Sequence, residues 1–174
     1  CKMSNQDLAK LAAAKMASSL IPDECILGVG SGSTVNIFIQ ELAKEKHKIT
    51  AAIASSTKTK QLLEAHKIPV INLNHASEIK LYIDGADAVD SFGGCIKGGG
   101  GALTQEKIIA SVATSWVCIV DASKVTSNLA KYNIAIEVIP CARSYVAREL
   151  VKLNFCPTYR ENFITDNHNI ILDA

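Results

Sequence analysis

Glycine is missing from most of this 174-residue chain: all ten fall in two places, Gly28, Gly30 and Gly32, and then seven from Gly85 to Gly101. None is left for the helix caps and hairpin turns where a globular chain ordinarily spends some. Charge of one sign is also scarce. The net charge is +1 and no run reaches five like charges, so nothing marks a nucleic-acid or membrane surface. No apolar stretch approaches the length of a membrane span, and no signal-peptide pattern precedes the first helical segment. The six cysteines (1, 25, 95, 118, 141 and 156) contain no CxxC pair, and the four histidines are scattered, so no group has the spacing of a zinc site. Reduced thiols and a cytoplasmic location follow as the expectation. What is present, 48% hydrophobic and 20% charged residues, is the composition of a globular domain rather than a disordered one.

Periodicity supplies the fold class. Ser4 can cap a first helix with Leu8, Leu11, Ala12, Met16 and Leu20 on one face, ending before Pro22. "CILGVG" (25–30) reads as a buried strand and "TVNIFIQELAKEK" (34–46) as an amphipathic helix. Strands are expected at 49–54, 68–73, 80–84 and 115–121, with helices at 57–66 and through "ALTQEKIIASVAT". This alternation predicts an α/β fold, a mostly parallel, Rossmann-like doubly wound sheet with helices on both faces. From "IAIEVIP" onward the rhythm changes to a strand, a helix and short strands joined by polar turns. Residues 1–135 are therefore read as an α/β catalytic domain holding both glycine-rich loops, and residues 136–174 as a small α+β appendage.

Each glycine cluster follows a strand and leads toward a helix, which is where α/β sheets bind ligands. In "GVGSGSTV" the hydroxyls of Ser31, Ser33 and Thr34, the backbone N–H groups and a helix N-terminus suit a phosphate or another oxyanion. No GKS or GKT follows, and GxGxxG would need glycine at Ser33, so a small phosphorylated ligand fits better than a nucleotide. The second cluster carries reactive groups. Asp84 ends a strand, Asp87 follows it, Lys97 precedes four consecutive glycines (98–101), and Glu106 falls near the start of the next helix. A carboxylate base, carboxylates to move protons between oxygens, and donors for a developing oxyanion are what proton abstraction beside a carbonyl requires. Taken singly, each has a plainer reading as a turn former, an exposed lysine or a helix N-terminal charge.

The blocks "GVGSGSTV", "DGAD", "KGGGGALTQEK", "VDASK" and "TDNHNIILD" resemble, in order and spacing, those of ribose-5-phosphate isomerase type A. The resemblance implies interconversion of D-ribose 5-phosphate and D-ribulose 5-phosphate in the non-oxidative pentose phosphate pathway. It implies no metal or organic cofactor, a small-molecule sugar phosphate as partner, and a homodimer or homotetramer. By the same resemblance Glu106 is the general base, and Asp84 and Asp87 handle ring opening and hydroxyl protons. Lys97 with Gly98, Gly99 and Gly100 binds sugar oxygens, residues Ser31, Gly32, Ser33 and Thr34 form the ligand loop, and Lys10 and Lys124 lie near the phosphate. Three departures stand out. Ala88 takes the place of the glutamate in DGADE, His168 replaces the glycine of a TDNGN-like turn, and the family continues beyond the point where this sequence stops, through a segment returning to the main sheet.

A second class of function uses related sheets as sugar-phosphate sensors without turnover. The joint presence of Glu106, Asp84, Asp87 and Lys97 argues against it. An amino-sugar phosphate deaminase would be expected to place a histidine in one of the glycine loops, and neither has one.

Overall fold

The computed structural model describes residues 4–174. Strands β1 (Cys25–Val29), β2 (Ile49–Ala54), β3 (Ile79–Asp84) and a later strand, Ala113–Cys118, form one parallel sheet in which β1 and β3 are central. Helices α1 (Asn5–Ser19), α2 (Ser33–Lys44) and α3 (Thr57–Ala65) cover one face, where Leu27, Val29, Leu81 and Ile83 meet Ala14, Ala17, Phe38 and Leu63. On α2, Val35, Phe38, Ile39 and Leu42 recur at helical spacing and are all fully buried, each worth about 1.5–3 kcal/mol. The opposite face is covered by α4 (Leu103–Val112), whose Ile109 packs with Ile53, Ile79 and Tyr82. The sheet is thus wound on both faces, as the sequence pattern predicts.

The chain departs from expectation in four places. In α1 the Ser4–Asp7 capping box forms, but the buried face is Ala14, Ala17 and Ser18, while Leu8, Met16 and Leu20 are half or more exposed. Small residues let α1 lie close against α2, which outweighs side-chain size. The apolar run 68–73 is no strand: Val70 makes a single bridge to Ala52 beside β2, and a 3₁₀ turn at Leu73–His75 follows. Pro69 lacks the N–H a ladder needs there. The second glycine cluster contains a hairpin of β4 (Ala88–Val89) and β5 (Cys95–Ile96), not a continuous loop. Finally, α4 stops at Val112, and β6, the Ala113–Cys118 strand, begins at once rather than at 115.

The C-terminal residues build a second layer. β7 (Ala135–Val138), α5 (Arg143–Lys152), β8 (Thr158–Tyr159) and β9 (Ile170–Asp173) form an antiparallel sheet of order β7-β9-β8 with one helix. Val138, Leu150, Ile170 and Leu172 are its core. Among the described residues, five cysteines are free and no helix is long and apolar enough to cross a membrane.

Candidate active site

From β1 the chain passes to β2 on one side, and after α3 it returns to β3 on the other. The order β2-β1-β3-β6 therefore has its switch point between β1 and β3, whose C-terminal ends open a crevice. Gly30 N–H still donates to Ile83 O at 2.8 Å; beyond it the first loop bends away into α2, with Gly32 in the left-handed region at φ +103°. A cavity of about 130 Å³ sits in this crevice. Residues 31–34 of the first loop line it, together with Asp87, Lys97, Gly98, Gly99, Gly100, Glu106 and Lys124. Two further candidates stand just outside its wall. Lys10 of α1 donates from Nζ to Ser33 Oγ at 3.0 Å, and Asp84 is fully buried behind Lys97.

The burial of Asp84 changes how it can act. Its carboxylate accepts from Ser31 N–H (3.0 Å), from Gly85 N–H (2.7 Å) and from the Tyr82 hydroxyl, and Oδ2 is 2.8 Å from Lys97 Nζ. A strand end does project it toward the crevice, but these partners occupy it below the cavity floor. Lys97 in turn is satisfied on three sides, reaching Asp84, Gly85 O at 2.6 Å and Glu106 Oε2 at 3.1 Å. Burial opposes its charge, but Asp84 and Glu106 outweigh burial and hold its ammonium above the usual lysine range.

Glu106 projects from the first turn of α4 and is almost fully buried. Its Oε1 accepts from Ser31 Oγ at 2.6 Å. Burial and the neighbouring Asp84 charge push its carboxyl above the ordinary glutamate value, against the opposing pull of Lys97 and Ser31. Burial thus outweighs the ammonium beside it. A carboxylate whose proton affinity is raised while it stays ionisable is suited to general-base work near neutral pH.

Around this network the two loops present donors. Asp87 lines the cavity and accepts from Gly99 N–H at 2.8 Å. Asp121 caps a short turn, Ala122–Lys124, through Ser123 N–H at 2.9 Å, and so presents Lys124 to the cavity. With Lys10, Ser33 and the N-terminus of α2, Lys124 gives one end of the cavity a cationic, donor-rich character fit for a phosphate. Among the described residues, no three His, Cys, Asp or Glu side chains are grouped to hold a metal ion.

Two site residues escape the sequence reading. Tyr82 lies two positions before Asp84 on β3, hence on the same sheet face, and that spacing was a usable signal. Arg160 reaches the glycine loop from the C-terminal sheet, and nothing local in "TYREN" announces it.

A buried carboxylate, an ammonium and an amide-rich wall, with a cationic, donor-rich end, are the groups that an aldose–ketose isomerase acting on a small sugar phosphate requires. The chain belongs to one family of that class: residues 51–174 match the model for ribose 5-phosphate isomerase A (phosphoriboisomerase A). It is 59% identical over 165 residues to a ribose-5-phosphate isomerase A of Legionella pneumophila (strain Lens), covering 95% of this chain and 76% of that one. The crystal structure of ribose 5 phosphate isomerase A from Neisseria gonorrhoeae superposes with a TM-score of 0.94 at 42% identity, over 99% of this chain and 77% of that chain. A D-ribose-5-phosphate isomerase solved in complex with phospho-erythronic acid is similar at TM-score 0.93 and 36% identity, over 98% of this chain and 80% of that one.

Proposed function

We infer that this chain interconverts D-ribose 5-phosphate and D-ribulose 5-phosphate, an aldose–ketose isomerisation of the non-oxidative pentose phosphate pathway. Glu106 takes the proton from C2 of the open-chain aldose and returns it to C1, with an enediolate between the two steps. A glutamate side chain has the reach to swing between adjacent carbons while α4 fixes its origin. Lys97 and the glycine-loop amides stabilise the negative charge that spreads over the two oxygens. Asp87, at the cavity wall, serves ring opening and the transfer of the hydroxyl proton. Asp84 works from beneath by holding Lys97 and the Ser31 amide in place. Lys10, Lys124 and residues 31–34 hold the phosphate. No metal or organic cofactor enters these steps.

The observation that carries the reading is Glu106 itself, a buried carboxyl of raised proton affinity at the wall of an amide-lined cavity. A sensor that only binds its ligand has no use for a charge placed at such cost. A coupled assay of ribose 5-phosphate turnover by the purified chain tests the reading; binding of the sugar phosphate without turnover would favour the sensor. We further propose a cytoplasmic homodimer or homotetramer. In support, Leu8, Met16 and Leu20 along α1, and Tyr145, Val151 and Leu153 in and after α5, leave apolar surface exposed. Light scattering of the purified chain tests the assembly.

A further inference from the structure

Arg160 follows β8 and binds in two directions. Nε and Nη2 donate to Asp173 Oδ2 and Oδ1 at 2.8 and 2.5 Å, a fork that fixes the plane of the guanidinium. Nη1 donates to the carbonyls of Gly98 and Gly99 at 3.1 and 3.2 Å. The guanidinium also lies over the Phe163 ring, 5.4 Å from its centroid, and Phe163 occupies the space a Cβ would need at Gly101.

A trans peptide points its C=O and the following N–H in opposite directions. Drawing the Gly98 and Gly99 carbonyls to Arg160 therefore turns the N–H groups of Gly99 and Gly100 the other way. The first of these donates to Asp87 Oδ2 at 2.8 Å. The second has no protein acceptor among the described residues, and Gly100 belongs to the cavity wall. A run of four glycines has many conformations open to it, and Gly98 and Gly101 sit at φ +108° and +78°. The Gly101 N–H closes the turn from inside by donating to Gly98 O at 3.0 Å, and Arg160 adds, from the C-terminal sheet, the contact that also holds the Gly99 carbonyl.

We propose that Arg160 is a positioning residue for the isomerisation: held by Asp173, it sets the peptide planes of the glycine loop so that one amide orients Asp87 and the next faces the developing oxyanion. The proposal rests on the isomerase reading, so its test has one arm that needs no turnover. In hydrogen exchange of the intact chain, Arg160→Ala should lose at least ~10-fold protection at the Gly99 amide, with the amides of β1 unchanged. In the assay, kcat for ribose 5-phosphate should fall ~10- to 100-fold, less than loss of a whole oxyanion donor, while KM moves less than about threefold because the phosphate is held by the other loop. Guanidinium ion at low millimolar levels should restore part of the lost kcat in Arg160→Ala and none in Glu106→Gln. If Arg160→Ala does not fold, Asp173→Asn serves instead, with a smaller fall in kcat and the same exchange signature. Unchanged Gly99 protection, or kcat within twofold of wild type in whichever variant folds, overturns the proposal. A wild-type chain that fails to turn over ribose 5-phosphate sinks the isomerase reading, while the exchange arm still judges the clamp.

Discussion

The Asp84 carboxylate fills the space that a side chain at Gly30 would need. The first loop is therefore glycine at this position because the next strand ends in a buried acid, and the two motifs are one construction. Gly30→Ala must push Asp84 off its donors at Ser31 and Gly85 and away from Lys97. Overpacking of this kind costs about 1–3 kcal/mol of stability, readable as a shift of the urea midpoint. With Lys97 released, kcat should fall at least ~10-fold, equivalent to ~1.4 kcal/mol of barrier. A variant with wild-type kcat would show that Asp84 has no part in arranging the site.

The anion subsite is tested by ligand-induced stability. Lys10 bonds Ser33, and Lys124 lines the same cavity, so a 5-phosphate is the group that should be held there. Ribose 5-phosphate at 100 times its Kd should raise stability by about 2.7 kcal/mol through mass action, while unphosphorylated ribose at equal concentration leaves Tm unmoved. Lys124→Ala should weaken the sugar-phosphate shift. Equal shifts from both sugars would mean that the phosphate is bound elsewhere or not at all.

How far the sequence could be read differs by element. Val35, Phe38, Ile39 and Leu42 repeat at helical spacing, and "CILGV" and "ITAAIA" are apolar runs interrupted only by the exposed Thr50, so α2, β1 and β2 were legible. The run at 68–73 misled because periodicity does not say whether a neighbouring strand is available to pair, and Pro69 left room for only one bridge. In α1 the leucines and the methionine suggested the wrong face, since helix approach, not side-chain size, decided the contact. Within the site, Ser31, Asp87, Lys97 and Glu106 lie in or beside the two glycine clusters and were locally visible, whereas Lys124 lines the cavity from outside both and was reached only through the family resemblance. Arg160 was not, because its contact with Gly98 and Gly99 spans about sixty residues and exists only once the C-terminal sheet has docked.

Metal dependence offers a separate check. The proposed proton transfers use Glu106 and Asp87, with Lys97 stabilising charge, and no grouped ligand set exists among the described residues. Dialysis against EDTA should leave kcat within experimental error, and added Mg²⁺ or Zn²⁺ should not raise it. Loss of activity in EDTA with recovery on adding a divalent ion would contradict the mechanism.

His168 stands where the family motif has glycine, and its φ is +60°. For an L-residue that conformation costs roughly 1–2 kcal/mol, offset in part because glycine loses more backbone freedom on folding. The turn it completes carries Thr165, Asn167 and Asn169, which all donate to Glu137 of β7. His168→Gly should therefore keep the turn and raise stability by roughly 0.5–1 kcal/mol. A lower denaturation midpoint in the glycine variant would show that the imidazole makes a contribution of its own.

Glu106 ties stability to chemistry in opposite senses. Its carboxyl binds a proton more tightly in the folded chain than at the ordinary value of 4.5, because burial and Asp84 raise it. Its favourable contribution to stability is then fully present below that value and is lost as pH rises through the raised folded value. On the proposed mechanism the base acts ionised, so its burial is a cost to stability. Glu106→Gln keeps the shape and an acceptor for Ser31 Oγ, and leaves Lys97 paired with Asp84 and Gly85 O. The variant should be at least as stable as wild type at pH 7, with the difference shrinking as pH falls toward 4. Its kcat should drop by ~10²–10⁴, the usual general-base contribution, or roughly 3–5 kcal/mol of barrier, with little change in affinity for the sugar phosphate. The wild-type profile of kcat/KM should fall on the acid side through a pKa above 4.5, and that limb should be absent from the residual activity of the variant. A Gln variant that keeps more than about a tenth of wild-type kcat, a cost under ~1.4 kcal/mol, removes Glu106 as the base.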